Sequence, residues 1–190
     1  MRHINTQKYV MCTIMSTFNP HPKVEVYDNV FDMKDFTNFI PLLQMCPLSM
    51  DFKSGVPYLT TDLSSLHPRF HECLSKSMPF KNIKTTDIEK CEAQVYTIGM
   101  FPPITEKEQY KRVLVHCINP EWNPTWGGQM FFYDTNGNIV CAVSYKPNRA
   151  ILFDAELSYR CSGTHAKGPK FMYTFNTTYW KPRVNRNYVR

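Results

Sequence analysis

The chain has 190 residues, of which 43% are hydrophobic and 14% aromatic, and a formal net charge of +6. That length and apolar content fit one domain with a sizeable core and exclude a disordered chain. No run approaches the about twenty apolar residues of a membrane span, no N-terminal apolar stretch has secretory length, and seven cysteines without a CxxC pattern argue for free thiols in a reducing compartment rather than a disulfide framework.

Residues 1–23 mix polar and apolar side chains and end in Asn19-Pro20-His21-Pro22-Lys23, which reads as an arm and linker with one short strand around Val10–Met15. Val24–Tyr27 predicts a strand. Phe36, Phe39, Ile40 and Leu43 then fall at helical spacing, with Asp32 placed to cap a helix from Met33 and Pro41 placed to kink or end it. Pro47–Pro68 reads as a loop around Gly55-Val56-Pro57, Pro68–Lys76 as a helix with Phe70 and Leu74 inward, and Lys81–Lys90 as a polar connector. Ala93–Met100 returns to strand character.

Four β-rich runs follow at Val113–Ile118, Gln129–Tyr133, Ile139–Tyr145 and Ala150–Phe153, and a last one at Phe171–Thr178. Asn119-Pro120, Asn123-Pro124 and Gly127-Gly128 punctuate the first connector. Asn136-Gly137 predicts a hairpin on a type I′ turn. Short antiparallel strands at this spacing predict a mainly β fold with flanking helices, a jelly roll. Trp122, Trp126, Phe131, Phe132 and Tyr133 read as core and loop packing, or else as a platform for stacking bases. Asp134 and Asp154 read as turn or backbone partners. His116 reads as a satisfied core histidine, and its neighbour Cys117 must face the other side of the strand. Lys181, Arg183, Arg186 and Arg190 make a solvated tail, or a basic arm for nucleic acid. No GxSxG, HExxH, P-loop or GxGxxG motif is present.

The stretch INPEWNPTWGGQMFFYD, with KPNRAILFD about a dozen residues on, resembles the core of the iron- and 2-oxoglutarate-dependent oxygenases, in the prolyl 4-hydroxylase-like branch common in phages. The likeness runs roughly from Val24 to Trp180 and includes the opening VEVYDNVFDMKDF and the closing FMYTFNTT. It implies a double-stranded β-helix over residues 24–180, an N-terminal arm over 1–23 and a basic tail over 181–190. It also implies an Fe(II) site built from His-x-Asp or His-x-Glu and a later His, ligands that suit ferrous iron and leave positions open for co-substrate. In this chain the first His slot falls on Ile104 or Thr105, the carboxylate slot on Glu106 or Lys107, and the second His slot on Tyr159. Lys170 stands near the place of the cation that holds the 2-oxoglutarate carboxylate.

None of the six histidines is followed two positions on by an acid. The resemblance with a degenerate triad therefore implies a catalytically inactive oxygenase-like domain without cofactor. Its expected role is binding or structure, as a phage protein in the host cytoplasm or a virion component, with a protein partner or a second copy of itself and no membrane. Two alternatives stand beside it. One is an active hydroxylase using Fe(II) and 2-oxoglutarate on the unusual ligand set Glu106, His116 and His165. The other is a nucleic-acid-binding module on the basic tail.

Overall fold

A computed structural model describes residues 21–45, 47–53, 56–62, 72, 88–97, 111–169 and 171–180. The order is β1 (Val24–Asp28), α1 (Met33–Met45), β2 (Ser49–Lys53), β3 (Val56–Asp62), β4 (Ile88–Tyr96), β5 (Lys111–Cys117), a 3-10 turn (Pro124–Trp126), β6 (Met130–Tyr133), β7 (Ile139–Val143), β8 (Arg149–Asp154), β9 (Ser158–Cys161) and β10 (Met172–Trp180). The strands make a seven-stranded sheet, β1-β8-β5-β10-β4-β3-β2, and a three-stranded sheet, β7-β6-β9. Every pairing in both is antiparallel. From β5 onward the chain passes between the sheets four times, which makes the jelly-roll architecture of a double-stranded β-helix.

Three layers follow from the alternation of side chains along β5. Leu114 belongs to a cluster with Phe31, Phe36, Ala150, Leu152 and Phe175, between α1 and the large sheet. Val113, Val115 and Cys117 belong to a second cluster with Met130, Phe132, Ile151 and Phe153, between the two sheets. A central strand buried on both faces reads as a nearly continuous apolar run, and Val113–Ile118 does so apart from His116. Four cysteines, Cys91, Cys117, Cys141 and Cys161, are buried free thiols. Among the described residues no helix is long and apolar enough to cross a membrane.

The helix starts where its cap predicts. The Asp32 carboxylate accepts from Lys34 N at 2.8 Å, and its carbonyl accepts from Phe36 N at 2.9 Å. Phe36 is fully buried against the sheet. Pro41 does not end the helix, which continues to Met45. The Pro47–Pro68 segment is not the expected loop: β2 and β3 pair from Ser49↔Thr60 to Lys53↔Val56, and β3 continues onto β4. Pro57 sits inside this hairpin, opposite Phe52. The strand expected from Ala93 begins at Ile88 instead. The predicted strand at Val10–Met15 and the helix at Pro68–Lys76 lie outside the described residues, apart from a helical Glu72.

Asn136-Gly137 does close a hairpin, but not by a type I′ turn. Only Gly137 has positive φ, at +84°. Gly137 N donates to Asp134 O at 3.2 Å, and Asp134 N donates to Asn138 O at 3.0 Å. This is a type I turn followed by a left-handed glycine, with a register shift between Phe132 and Tyr133. Asp134 favours it, because its carboxylate accepts from Asn136 N and Asn138 N. Those bonds hold the carboxyl below its usual range.

Gly128 (φ +78°) lies where backbone comes too close for a side chain. A Cβ there would stand 2.8 Å from Tyr145 Cβ, 2.9 Å from Met172 Sδ and 2.9 Å from Trp122 Cζ2. Gly128→Ala is expected to cost about 2–4 kcal/mol from overpacking and the left-handed backbone. That lowers the melting temperature by roughly 5–12 °C. A change under about 2 °C by calorimetry would show the loop yielding freely.

Candidate functional site

The space between the sheets has a polar side and an apolar side. On β4, Tyr96 faces inward as part of the inter-sheet cluster, and Gln94 and Glu92 follow it at every second position. Across from them on β10 the partners are Met172↔Tyr96, Thr174↔Gln94 and Asn176↔Glu92. One amide ties this wall together. Gln94 Nε2 donates to Glu92 Oε1 at 2.8 Å, and Gln94 Oε1 accepts from the Tyr96 hydroxyl at 2.6 Å and the Tyr159 hydroxyl at 3.4 Å. Lys90 Nζ pairs with Glu92 Oε2 at 2.5 Å at the exposed end. Burial pushes the Tyr96 phenol well above its ordinary range, so it stays a neutral donor.

Tyr159, which the resemblance sets in the place of the second metal-binding His, sits on β9 and is buried. Its ring stacks on Phe132 with centroids 6.2 Å apart and meets Phe153 edge-on at 5.2 Å. Phe132 and Phe153 are themselves 5.0 Å apart. The tyrosine is thus a core residue of the barrel interior, packed by aromatic area and donating its proton to an amide oxygen. A phenol used in that way offers no anionic oxygen to a cation.

Of the other expected site residues, the structure describes His116 and His165. Ile104, Thr105, Glu106 and Lys170 lie outside the described residues. His116 is fully buried on the helix side of the large sheet, edge-on to Phe31 at 4.5 Å and to Phe36 at 6.0 Å. Its Nε2 lies 3.3 Å from Asn148 Oδ1. Cys117, as expected, faces the opposite side. His165 is exposed beside Gly127, with its backbone N donating to Trp126 O at 2.8 Å. His116 therefore points away from the space between the sheets that a shared metal would need. Cys161 ends β9 and is fully buried.

Among the described residues, no three His, Cys, Asp or Glu side chains gather as a metal site. Among the described residues the donors that meet at Tyr159 are its own phenol and the Gln94 amide, with no imidazole, and the sequence has no His at 104–107. This donor set does not fit ferrous iron held by two imidazoles and a carboxylate.

Trp122 packs against Tyr145 with centroids 4.4 Å apart and donates from Nε1 to Gly127 O at 3.2 Å. Phe132 is fully buried. These two aromatics are packing residues rather than a stacking surface. Asp154 does more than close a turn. Its carbonyl accepts from Leu157 N at 2.9 Å, while its carboxylate lies 3.3 Å from Arg112 Nε. Arg112 also pairs with Glu25 at 2.6 Å, and the Tyr27 hydroxyl donates to the same Glu25. Sequence reasoning missed Glu92, Gln94, Thr174 and Asn176. The available signal was a polar residue at every second place in two strands that also carry apolar ones.

No family model matches the sequence, and no curated protein matches it. Solved structures do match its shape. A prolyl-4-hydroxylase from Pseudomonas putida aligns with TM-score 0.59 at 10% identity, covering 84% of this chain and 93% of that one. A prolyl hydroxylase from Trichoplax adhaerens, solved with a hypoxia-inducible-factor peptide fragment, aligns with TM-score 0.61 at 15% identity, covering 84% of each chain. HygX from Streptomyces hygroscopicus, solved with nickel, 2-oxoglutarate and hygromycin B, aligns with TM-score 0.62 at 10% identity, covering 85% of this chain and 84% of that one. At such identities the likeness is one of fold. Together with the strand order and the two stacked sheets, it shows that this chain has the double-stranded β-helix fold of the prolyl-4-hydroxylase-like 2-oxoglutarate/Fe(II) oxygenases.

Proposed function

We propose that this chain is a catalytically silent form of that fold, which works by binding or assembly and not by oxidation. The observation that supports this reading is Tyr159: the residue that the resemblance sets in the place of a metal-binding imidazole is a buried phenol packed against Phe132 and Phe153. The absence of any His-x-Asp or His-x-Glu from the whole sequence supports it. The fold does not need the metal, because each face of the large sheet has its own apolar cluster. The partner in this reading is a protein surface, as in a phage particle, or a second copy of the chain. Leu48 and Met50, at 43% and 61% exposed on and beside edge strand β2, offer apolar contact area for it.

The test is anaerobic calorimetry of the full chain with Mn(II) or Fe(II), with and without 2-oxoglutarate, at neutral pH. The expected result is no saturable one-to-one metal binding and no succinate formed. Tight stoichiometric binding with co-substrate turnover would overturn the reading and favour an unusual ligand set. For such a set His116 is poorly placed, being on the helix side of the sheet.

A further inference from the structure

Asn136 is the one asparagine of the chain that precedes a glycine; every other is followed by a residue with a side chain. The difference is chemical. The backbone nitrogen after an asparagine can attack the side-chain carbonyl carbon, and a side chain on that next residue hinders the approach, whereas glycine allows it. Asn136 and Gly137 are both exposed at the tip of the β6–β7 hairpin, and a Cβ placed on Gly137 would meet nothing within 4 Å. The turn itself opposes the attack. Asn136 is the third residue of a type I turn, where ψ is about 0° and the next nitrogen lies turned away from the side chain. That nitrogen also donates to Asp134 O at 3.2 Å. Asp134 fastens the turn on either side of it: its carboxylate accepts from Asn136 N at 2.8 Å, Asn138 N at 2.9 Å and Asn138 Nδ2 at 3.2 Å. Attack requires the turn to open locally.

We propose that Asn136 is a site of spontaneous covalent modification, deamidation through a cyclic imide, and that Asp134 sets its rate by holding the turn shut. The Gly137 nitrogen loses its proton and forms a bond to Asn136 Cγ. The bond from Cγ to the side-chain nitrogen breaks, and that nitrogen leaves as ammonia. Water then opens the imide ring at one of its two carbonyls. One opening leaves aspartate. The other leaves isoaspartate, in which the main chain runs through the former side chain and is one methylene longer. Either product sets a new carboxylate near that of Asp134, and like charges repel. The longer backbone also displaces Asn138 from the Asp134 groups it bonds to. The consequence falls on β7, an edge strand of the small sheet among the described residues, whose Cys141 and Val143 belong to the inter-sheet cluster. Ageing at this turn loosens the small sheet from its edge, whether or not the barrel holds a metal.

The full chain is incubated at mildly alkaline pH and physiological temperature, its proteolytic peptides are followed by mass spectrometry, and isoaspartate is counted by enzymatic methylation. Asn136 is expected to convert before any other asparagine and to give both products. Asp134→Ala is expected to convert several-fold faster than the wild type. Wild type held in denaturant is also expected to convert several-fold faster than the folded protein, and this carries the test should the alanine variant fail to fold. Asn136→Gln is expected to keep the melting temperature of fresh wild type through the incubation, while aged wild type melts lower. No conversion at Asn136, or earlier conversion elsewhere, overturns the proposal. A rate at Asn136 unchanged by denaturant, or by Asp134→Ala in a folded protein, overturns it as well, because the turn then does not govern the reaction.

Discussion

Asn148→Ala is expected to remove about 3–5 kcal/mol of stability, a large fraction of what a domain of this size has. Asn148 is 2% exposed and holds a left-handed backbone, with φ at +56°. Its side chain spans two layers. Oδ1 accepts from Phe31 N at 3.0 Å and lies 3.3 Å from His116 Nε2, while Nδ2 donates to Phe31 O at 2.8 Å. Its backbone adds bonds to Cys117 O and from Val30 N. Alanine keeps the backbone bonds, loses the side-chain bonds at a buried position, and sits badly at positive φ. Asn148→Gly should recover about 1 kcal/mol of the loss, since glycine accepts that backbone freely. Chemical denaturation of the three proteins checks this. A shift below about 1 kcal/mol for alanine would mean that water replaces the side chain at no cost.

The second large effect is on pH. Burial pushes His116 down to about 3 from an ordinary 6.5, against a smaller upward pull from Asn148. A histidine whose folded pKa is depressed binds its proton more readily in the unfolded chain. Its contribution is therefore present above about pH 6.5 and is lost as pH falls toward 3. The full span corresponds to about 4–5 kcal/mol. His116→Gln should flatten this part of the stability curve between pH 6 and 4. Asp28, held below its usual range by Arg149 and Lys146 despite partial burial, loses its contribution only as pH falls further. An unchanged slope in His116→Gln would show that other groups drive acid unfolding. Because His116 and Asn148 share a hydrogen bond, the double variant should lose less than the two single losses added together.

The legible parts of this fold were those where one physical signal dominates. β5, β6, β7 and β8 stand where apolar and β-branched runs predict them, and Asp32 caps α1 as expected. The failures have separate causes. β9 reads Ser-Tyr-Arg-Cys, a mixed run without the apolar and aromatic continuity that marks the equally short β6. The β2–β3 hairpin was hidden by Pro57 and Gly55, which ordinarily argue for a loop. β4 was shortened because Glu89 and Lys90 read as the end of a polar connector and Glu92 adds a further charge, although Glu92 is turned toward the barrel interior with Gln94. That inward polarity is also why the candidate site was illegible: a pattern that ordinarily marks the solvent face here marks the inner wall. His116 was legible as a core residue, but its anchor Asn148 was not, because a left-handed asparagine looks like any other turn residue in sequence.

The place of β10 bears on how the protein is made. Among the described residues it is the last strand, yet it lies in the middle of the large sheet, between β5 and β4. As the nascent polypeptide leaves the ribosome, β4 and β5 must wait with unsatisfied edges until residues near 180 emerge. Folding is then dominated by contacts distant in sequence and comes late, with sticky intermediates exposed during synthesis. A premature stop even a few codons inside this strand removes the keystone rather than a fringe, and chaperone dependence is the natural outcome.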